Sequence, residues 1–146
     1  MLNEFAEDSK ALGGIPIFIF SILFAWAVGY PLLAIKMTLG FLLCYVVAIP
    51  FRFWMPLKRP EKRPARNIFE KFDQAGFPSL HTMRVFVLTG LLSTVFNSPA
   101  MLTLLLAAAL IVAASKVIIK HHYIRDIFGG AAIGTVIVCV IQRLIV

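Results

Sequence analysis

Strongly apolar stretches alternate with short polar segments along this chain, and each stretch is long enough to cross a lipid bilayer. No residue between positions 11 and 35 is charged, which suits one span of about 20 residues. Gly29-Tyr30-Pro31 predicts the exit of this span, because proline disfavours helix in the residue before it. A second span is predicted from Leu32 to Phe53.

The second half of the chain repeats this pattern. Positions 85–115 are uncharged, and one helix of that length would run ~46 Å, well past a hydrocarbon core of ~30 Å. The Asn97-Ser98-Pro99 turn divides this run into spans at about 79–96 and 100–118. A fifth span is predicted from Asp126 to Val146. We therefore expect one all-α, multi-pass transmembrane bundle over residues 1–146, with about five spans and an N-terminal surface segment at 1–12.

Composition supports this class and points to a partner. The chain is 60% hydrophobic and 14% charged, and no soluble domain of this size buries that much apolar surface. Its 14 Lys and Arg against 7 Asp and Glu give a formal charge of +7. Half of the basic residues lie in one loop, residues 52–77, between apolar spans. This placement favours phosphate-bearing lipid over nucleic acid as the partner.

Five spans place the basic loop, the start of the third span and the connector 115–126 on one membrane face. All three histidines, His81, His121 and His122, then lie on that face. His122 and Asp126 are four residues apart, so the carboxylate can accept a ring N–H and fix the imidazole. Ionisable groups gathered at a membrane face predict a functional site.

The types of side chain in this cluster suit phosphoryl transfer without a metal. Arg52 and Arg59 carry planar guanidinium groups that match phosphate oxygens, and Lys116 adds a third cation. A predicted helix starts near Pro78, which suits its first position, and Ser79 suits a capping role; the N–H groups at this helix start attract an anion. Two histidines can divide the work of nucleophile and proton donor.

Three short motifs resemble those of the type 2 phosphatidic acid phosphatases, or lipid phosphate phosphatases, which share a core with the vanadium haloperoxidases. The family signatures are Lys-x6-Arg-Pro, Pro-Ser-Gly-His and Ser-Arg-x5-His-x3-Asp. The corresponding segments here are Arg52 to Arg59-Pro60, then Pro78-Ser79-Leu80-His81, then Ser115-Lys116 through His122 to Asp126. Arginine, leucine and lysine at positions 52, 80 and 116 replace the family's lysine, glycine and arginine.

The resemblance implies a role for each matching residue. His122 would be the nucleophile that forms a phosphohistidine, Asp126 would orient it, and His81 would protonate the leaving group. The phosphate would be held by Arg52, Arg59, Ser79 and Lys116. The family needs no metal or organic cofactor, so the implied activity is metal-independent hydrolysis of a lipid phosphate. Candidate substrates are polyprenyl pyrophosphate, phosphatidylglycerophosphate, phosphatidate and the anomeric phosphate of lipid A.

Several alternatives remain open at this stage. A lipid phosphotransferase would use the same intermediate, with a lipid hydroxyl in place of water. A non-enzymatic transporter or sensor could instead bind a metal through His81, His121, His122 and Asp126. Arg84 either supports the site or reaches the interface. We expect an inner-membrane protein whose site faces the extracytoplasmic side, as in the family, although excess Lys and Arg on that face is typical of a cytoplasmic face. The oligomeric state is left open.

Overall fold

The computed structural model describes residues 14–54, 57, 76–96, 98–120 and 122–145. This part of the chain forms helices and contains no strand, which confirms the predicted all-α class. Its five helices are α1 (Ile15–Ala27), α2 (Pro31–Trp54), α3 (Leu80–Phe96), α4 (Pro99–Ile118) and α5 (Ile124–Leu144). The predicted surface segment at 1–12 and most of the basic loop lie outside the described residues.

Three of these helices, α2, α4 and α5, are long and apolar enough to cross a membrane. The other two, α1 and α3, are shorter apolar helices of 13 and 17 residues. Large apolar side chains cover the outside of the bundle and include Phe20, Trp26, Leu104, Phe128 and Val136, each at least 60% exposed. In water such a surface would be costly, whereas lipid accommodates it.

Local sequence sets the helix ends close to the predicted positions. Gly29 has a φ of +85°, a conformation that suits glycine, and it turns the chain between α1 and α2. Ser98 caps α4 by accepting a hydrogen bond from the Met101 N–H at 3.5 Å. Helix α3 begins at Leu80, so the prediction of Pro78 as its first residue is wrong. The predicted capping role of Ser79 is confirmed, because its Oγ accepts the Thr82 N–H at 3.5 Å.

Helix α3 lies at the centre of the bundle and packs against α2, α4 and α5, while α1 packs against α2. The fully buried apolar side chains of this core include Met37, Cys44, Met83, Val87 and Leu91. Since consecutive helices run in opposite directions, the ends of α2 and α4 and the starts of α3 and α5 lie at one end of the bundle. We call this the site end.

Two glycines let α5 approach the backbone of α3 at the site end. A Cβ added to Gly130 would lie 2.7 Å from the Ser79 carbonyl oxygen, and one added to Gly134 would lie 2.8 Å from that of Met83. No other residue type fits such a separation without moving one of the helices. The spacing of four residues between these two glycines therefore serves packing inside the chain.

Candidate active site

Asp126 and His122 meet at the start of α5. His122 Nδ1 lies 3.5 Å from Asp126 Oδ2, and both side chains are buried, at 6% and 0% exposure of the residue. His122 precedes the helix, so the contact does not come from two side chains on one helical face. Asp126 instead folds back over the first turn, where its Oδ2 accepts the Tyr123 N–H at 3.0 Å. The carboxylate thereby caps the helix and holds the imidazole with the same oxygen.

A backbone hydrogen bond joins the start of α3 to the start of α5. The Ser79 N–H donates to the Asp126 carbonyl oxygen at 3.1 Å, across the close approach that Gly130 allows. The Ser79 side chain is fully buried, and its Oγ accepts from Thr82 Oγ1 at 3.1 Å and from the Thr82 N–H at 3.5 Å. The second and third motifs are therefore in direct contact, although Asp126 lies 47 positions after Ser79 along the chain.

The end of α4 is tied to His122 in a similar way. The His122 N–H donates to the Lys116 carbonyl oxygen at 3.1 Å, so the connector folds back on the helix that precedes it. Lys116 is 5% exposed and lies in the last turn of α4, where a cation is favoured by the helix dipole. Lys120, with a φ of +55°, makes the turn between them.

Aromatic rings connect the end of α2 to the segment before α3. The Phe51 and Phe77 rings meet edge to face with centroids 5.8 Å apart, and the Phe77 ring also lies against Gly129 of α5. Arg52 follows Phe51 in the last turn of α2 and is only 5% exposed. These contacts bring the end of α2, with its buried cation, to the same region as the starts of α3 and α5.

His81 occupies the first turn of α3, two residues after the capping Ser79, and is partly buried. Leu80, in the position of the family's glycine, begins the helix and packs against the hydrophobic core. Its φ does not lie in the left-handed region, where glycine is favoured. The leucine therefore meets the backbone requirements of this position without strain.

The structure thus brings to one end of the bundle the predicted site residues Arg52, Ser79, His81, Lys116, His122 and Asp126. Arg59, predicted to bind phosphate, and His121, part of the alternative metal set, lie outside the described residues. Among the residues described, Asp126 is the only acid, and no group of three or more His, Cys, Asp or Glu side chains comes together. The described site end therefore carries a strong excess of positive charge, which suits a phosphate ligand.

The sequence prediction missed one polar contact beneath this end. Tyr45 accepts a hydrogen bond from Arg84 Nη1 at 2.9 Å inside the bundle. Arg84 is 7% exposed, so it does not extend to the interface alongside lipid. Its position as a lone cation inside an otherwise uncharged span was the signal that could have identified it.

The apolar bundle is that of an integral membrane protein, and its described histidines and buried cations gather at one end. A family model described as the PAP2 superfamily matches residues 17–146, and the chain belongs to this superfamily. This confirms the resemblance drawn from the three motifs. No curated protein sequence matches the chain.

Two solved structures share the fold of this chain at low sequence identity. LpxE of Aquifex aeolicus superposes with a TM-score of 0.82 and 18% identity, covering 97% of this chain and 86% of that one. A transmembrane PAP2-type phosphatidylglycerolphosphate phosphatase of Bacillus subtilis gives 0.79 and 19%, covering 98% and 76%. The chain therefore has the fold of the PAP2 membrane phosphatases over nearly its whole length.

Proposed function

We propose that the protein is an integral-membrane lipid phosphatase that works through a phosphohistidine intermediate. The observation that carries this proposal is the contact between His122 and Asp126, 3.5 Å apart and buried in a PAP2 chain. Backbone hydrogen bonds link this pair to Ser79 and Lys116, two of the residues proposed to hold phosphate. The name of one structural neighbour, a phosphatidylglycerolphosphate phosphatase, supports a lipid phosphate as the substrate class.

The proposed reaction has two steps. His122 Nδ1 faces Asp126, so Nε2 attacks phosphorus and forms the P–N bond. The bond from phosphorus to the lipid oxygen breaks, its electron pair stays on that oxygen, and His81 supplies the proton. His81 then takes a proton from water as the water attacks the phosphohistidine, which releases inorganic phosphate and restores both histidines.

The cations of the site end hold the phosphate during both steps. Arg52 and Lys116, both buried, place positive charge near the non-bridging oxygens, and we propose that Arg59 joins them. The start of α3 adds oriented N–H groups. Positive groups that are already in position where negative charge develops in the transition state make the main catalytic contribution in phosphoryl transfer. The proposal requires no metal ion and no organic cofactor.

Phosphate release from a panel of lipids tests this function. Protein purified in detergent is offered polyprenyl pyrophosphate, phosphatidylglycerophosphate, phosphatidate and a lipid A 1-phosphate, with and without a chelator and vanadate. We expect release from at least one lipid that resists the chelator and is inhibited by vanadate. His122→Ala should abolish release, whereas the matched control His121→Ala should retain it.

Two results would decide against the proposal. Full activity of His122→Ala would exclude the phosphohistidine, and release from no lipid would exclude the phosphatase. Analysis of the organic products also separates hydrolysis from phosphotransfer, because a transferase passes the phosphate to a second lipid hydroxyl rather than to water.

A further inference from the structure

A buried arginine lies one helical turn further into the membrane than His81. Arg84 follows His81 by three residues in α3, which places it about 4.5 Å along the helix axis from it. Arg84 is 7% exposed, and its Nη1 donates to Tyr45 Oη of α2 at 2.9 Å. Holding an ionisable group inside a membrane bundle is costly, so its presence there indicates a function.

Tyr45 fixes the guanidinium of Arg84 in place. The Tyr45 ring packs against Phe41 with centroids 5.2 Å apart, which limits its movement. The Tyr45 hydroxyl accepts this hydrogen bond and so orients the guanidinium of Arg84. The guanidinium therefore occupies a defined position between α2 and α3.

This pair belongs to the same helix contact as the proposed site. Tyr45 precedes Arg52 by seven residues, or two turns, so both lie on one face of α2. Arg84 and His81 lie on adjacent turns of α3, the helix that packs against that face. Arg52 and His81 thus lie where the α2–α3 contact reaches the site end, and Tyr45 and Arg84 lie further along these helices, away from that end.

The direction of the proposed reaction gives Arg84 its role. The leaving oxygen departs on the side of phosphorus opposite His122, beside His81, and the lipid tail must stay in the bilayer. The departing group therefore extends from His81 inward, towards Arg84. When the substrate is a lipid monophosphate, the leaving group is an alcohol that is neutral after protonation. When the substrate is a lipid diphosphate, the leaving group is a lipid monophosphate that carries negative charge.

We propose that Arg84, held by Tyr45, binds the departing phosphate and makes the protein select lipid diphosphates over lipid monophosphates. This inference rests on the proposed phosphatase function. When the bridging P–O bond breaks, its electron pair remains on the oxygen of the departing phosphate, where an adjacent guanidinium is most favourable. Arg84 is then a determinant of specificity that lies outside the three motifs.

The ratio of kcat/KM for two lipids with the same tail tests this inference. The substrates are a polyprenyl diphosphate and the corresponding polyprenyl monophosphate, assayed in detergent. We expect Arg84→Gln to lower kcat/KM for the diphosphate by about tenfold or more, and for the monophosphate by less than about threefold. Tyr45→Phe should shift the ratio in the same direction. Arg84→Lys keeps the charge, so its ratio should lie between those of Arg84→Gln and the wild type.

The control is Arg143→Gln, which removes an exposed cation from the last turn of α5, away from the site end. It should leave kcat/KM for both lipids unchanged.

Equal losses for the two lipids in Arg84→Gln, or an unchanged ratio, would overturn the inference and leave the proposed phosphatase function in place. Wild-type protein that releases phosphate from neither these two lipids nor the wider panel would instead overturn the function itself. If Arg84→Gln does not fold, Tyr45→Phe, which keeps the ring, decides by the same ratio.

Discussion

The carboxylate of Asp126 makes three polar contacts beside the proposed nucleophile. Its Oδ2 lies 3.5 Å from His122 Nδ1 and accepts the Tyr123 N–H, and its Oδ1 lies 3.6 Å from Arg125 Nε. The Arg125 guanidinium in turn stacks over the Tyr123 ring at 4.9 Å. The start of α5 and the orientation of the imidazole therefore depend on the same buried group.

Replacing Asp126 by asparagine separates these two roles. The amide oxygen of Asp126→Asn can still accept the Tyr123 N–H, so we expect the free energy of unfolding to change by only about 1 kcal/mol. The charge that orients and stabilises the imidazolium is lost, and kcat should fall by at least about 100-fold. Thermal unfolding and phosphate release on one preparation measure both effects. A variant with full kcat would contradict the role given to Asp126.

At the scale of elements, the contact between α3 and α5 sets the position of the site. A Cβ at Gly130 would meet the Ser79 carbonyl oxygen, which belongs to the main chain and cannot move without shifting the cap of α3. Gly90 lies in the same helix contact, but a Cβ there would meet the Val138 side chain at 2.8 Å. The two glycines thus offer a matched pair of substitutions.

We expect Gly130→Ala and Gly90→Ala each to destabilise the bundle by about 1–3 kcal/mol, because both overpack a tight contact. Only Gly130→Ala should also lower kcat of the folded protein, by about tenfold or more, since it alone separates Ser79 from Asp126. Thermal unfolding in detergent and the kcat of folded protein distinguish these effects. Equal kcat in the two variants would show that the α3–α5 spacing does not control the chemistry.

The elements themselves were largely predictable from the sequence. Apolar runs and the prolines at positions 31 and 99 mark the helices within about two residues, because a bilayer demands long uncharged segments. The contact between Tyr45 and Arg84 was not predictable, since it depends on how two helices are rotated about their axes. The capping of α5 by Asp126 was missed for a related reason: a spacing of four fits a helical face and a folded-back cap equally well.

At the scale of the whole molecule, every predicted site residue that the structure describes lies at one end of the bundle, so the site faces one side of the membrane. The basic residues favour the cytoplasmic side by the positive-inside rule, whereas phosphate binding accounts for the same charges without reference to topology. We propose that the site end is extracytoplasmic. Lys120 at the site end and Val28 at the opposite end are both exposed and can report on this.

Single cysteines at these two positions test the orientation. In a Cys139→Ser background, where Cys44 is buried, Lys120→Cys and Val28→Cys are treated in intact cells with a membrane-impermeant maleimide. We expect labelling of Lys120→Cys in intact cells and of Val28→Cys only after permeabilisation. The reverse pattern would place the site in the cytoplasm, and retained phosphatase activity verifies that each variant is folded.

The join between Ser79 and Asp126 is made by their main chains, an N–H and a carbonyl that every residue except proline can supply in the same way. Side chains around it can therefore be exchanged during evolution while the two segments stay in register. Arginine at 52, leucine at 80 and lysine at 116 differ from the family signatures, and the main-chain hydrogen bond between Ser79 and Asp126 depends on none of these side chains. In the proposed phosphatase, the side chains that hold the phosphate can therefore be replaced while the position of the reacting histidine is kept.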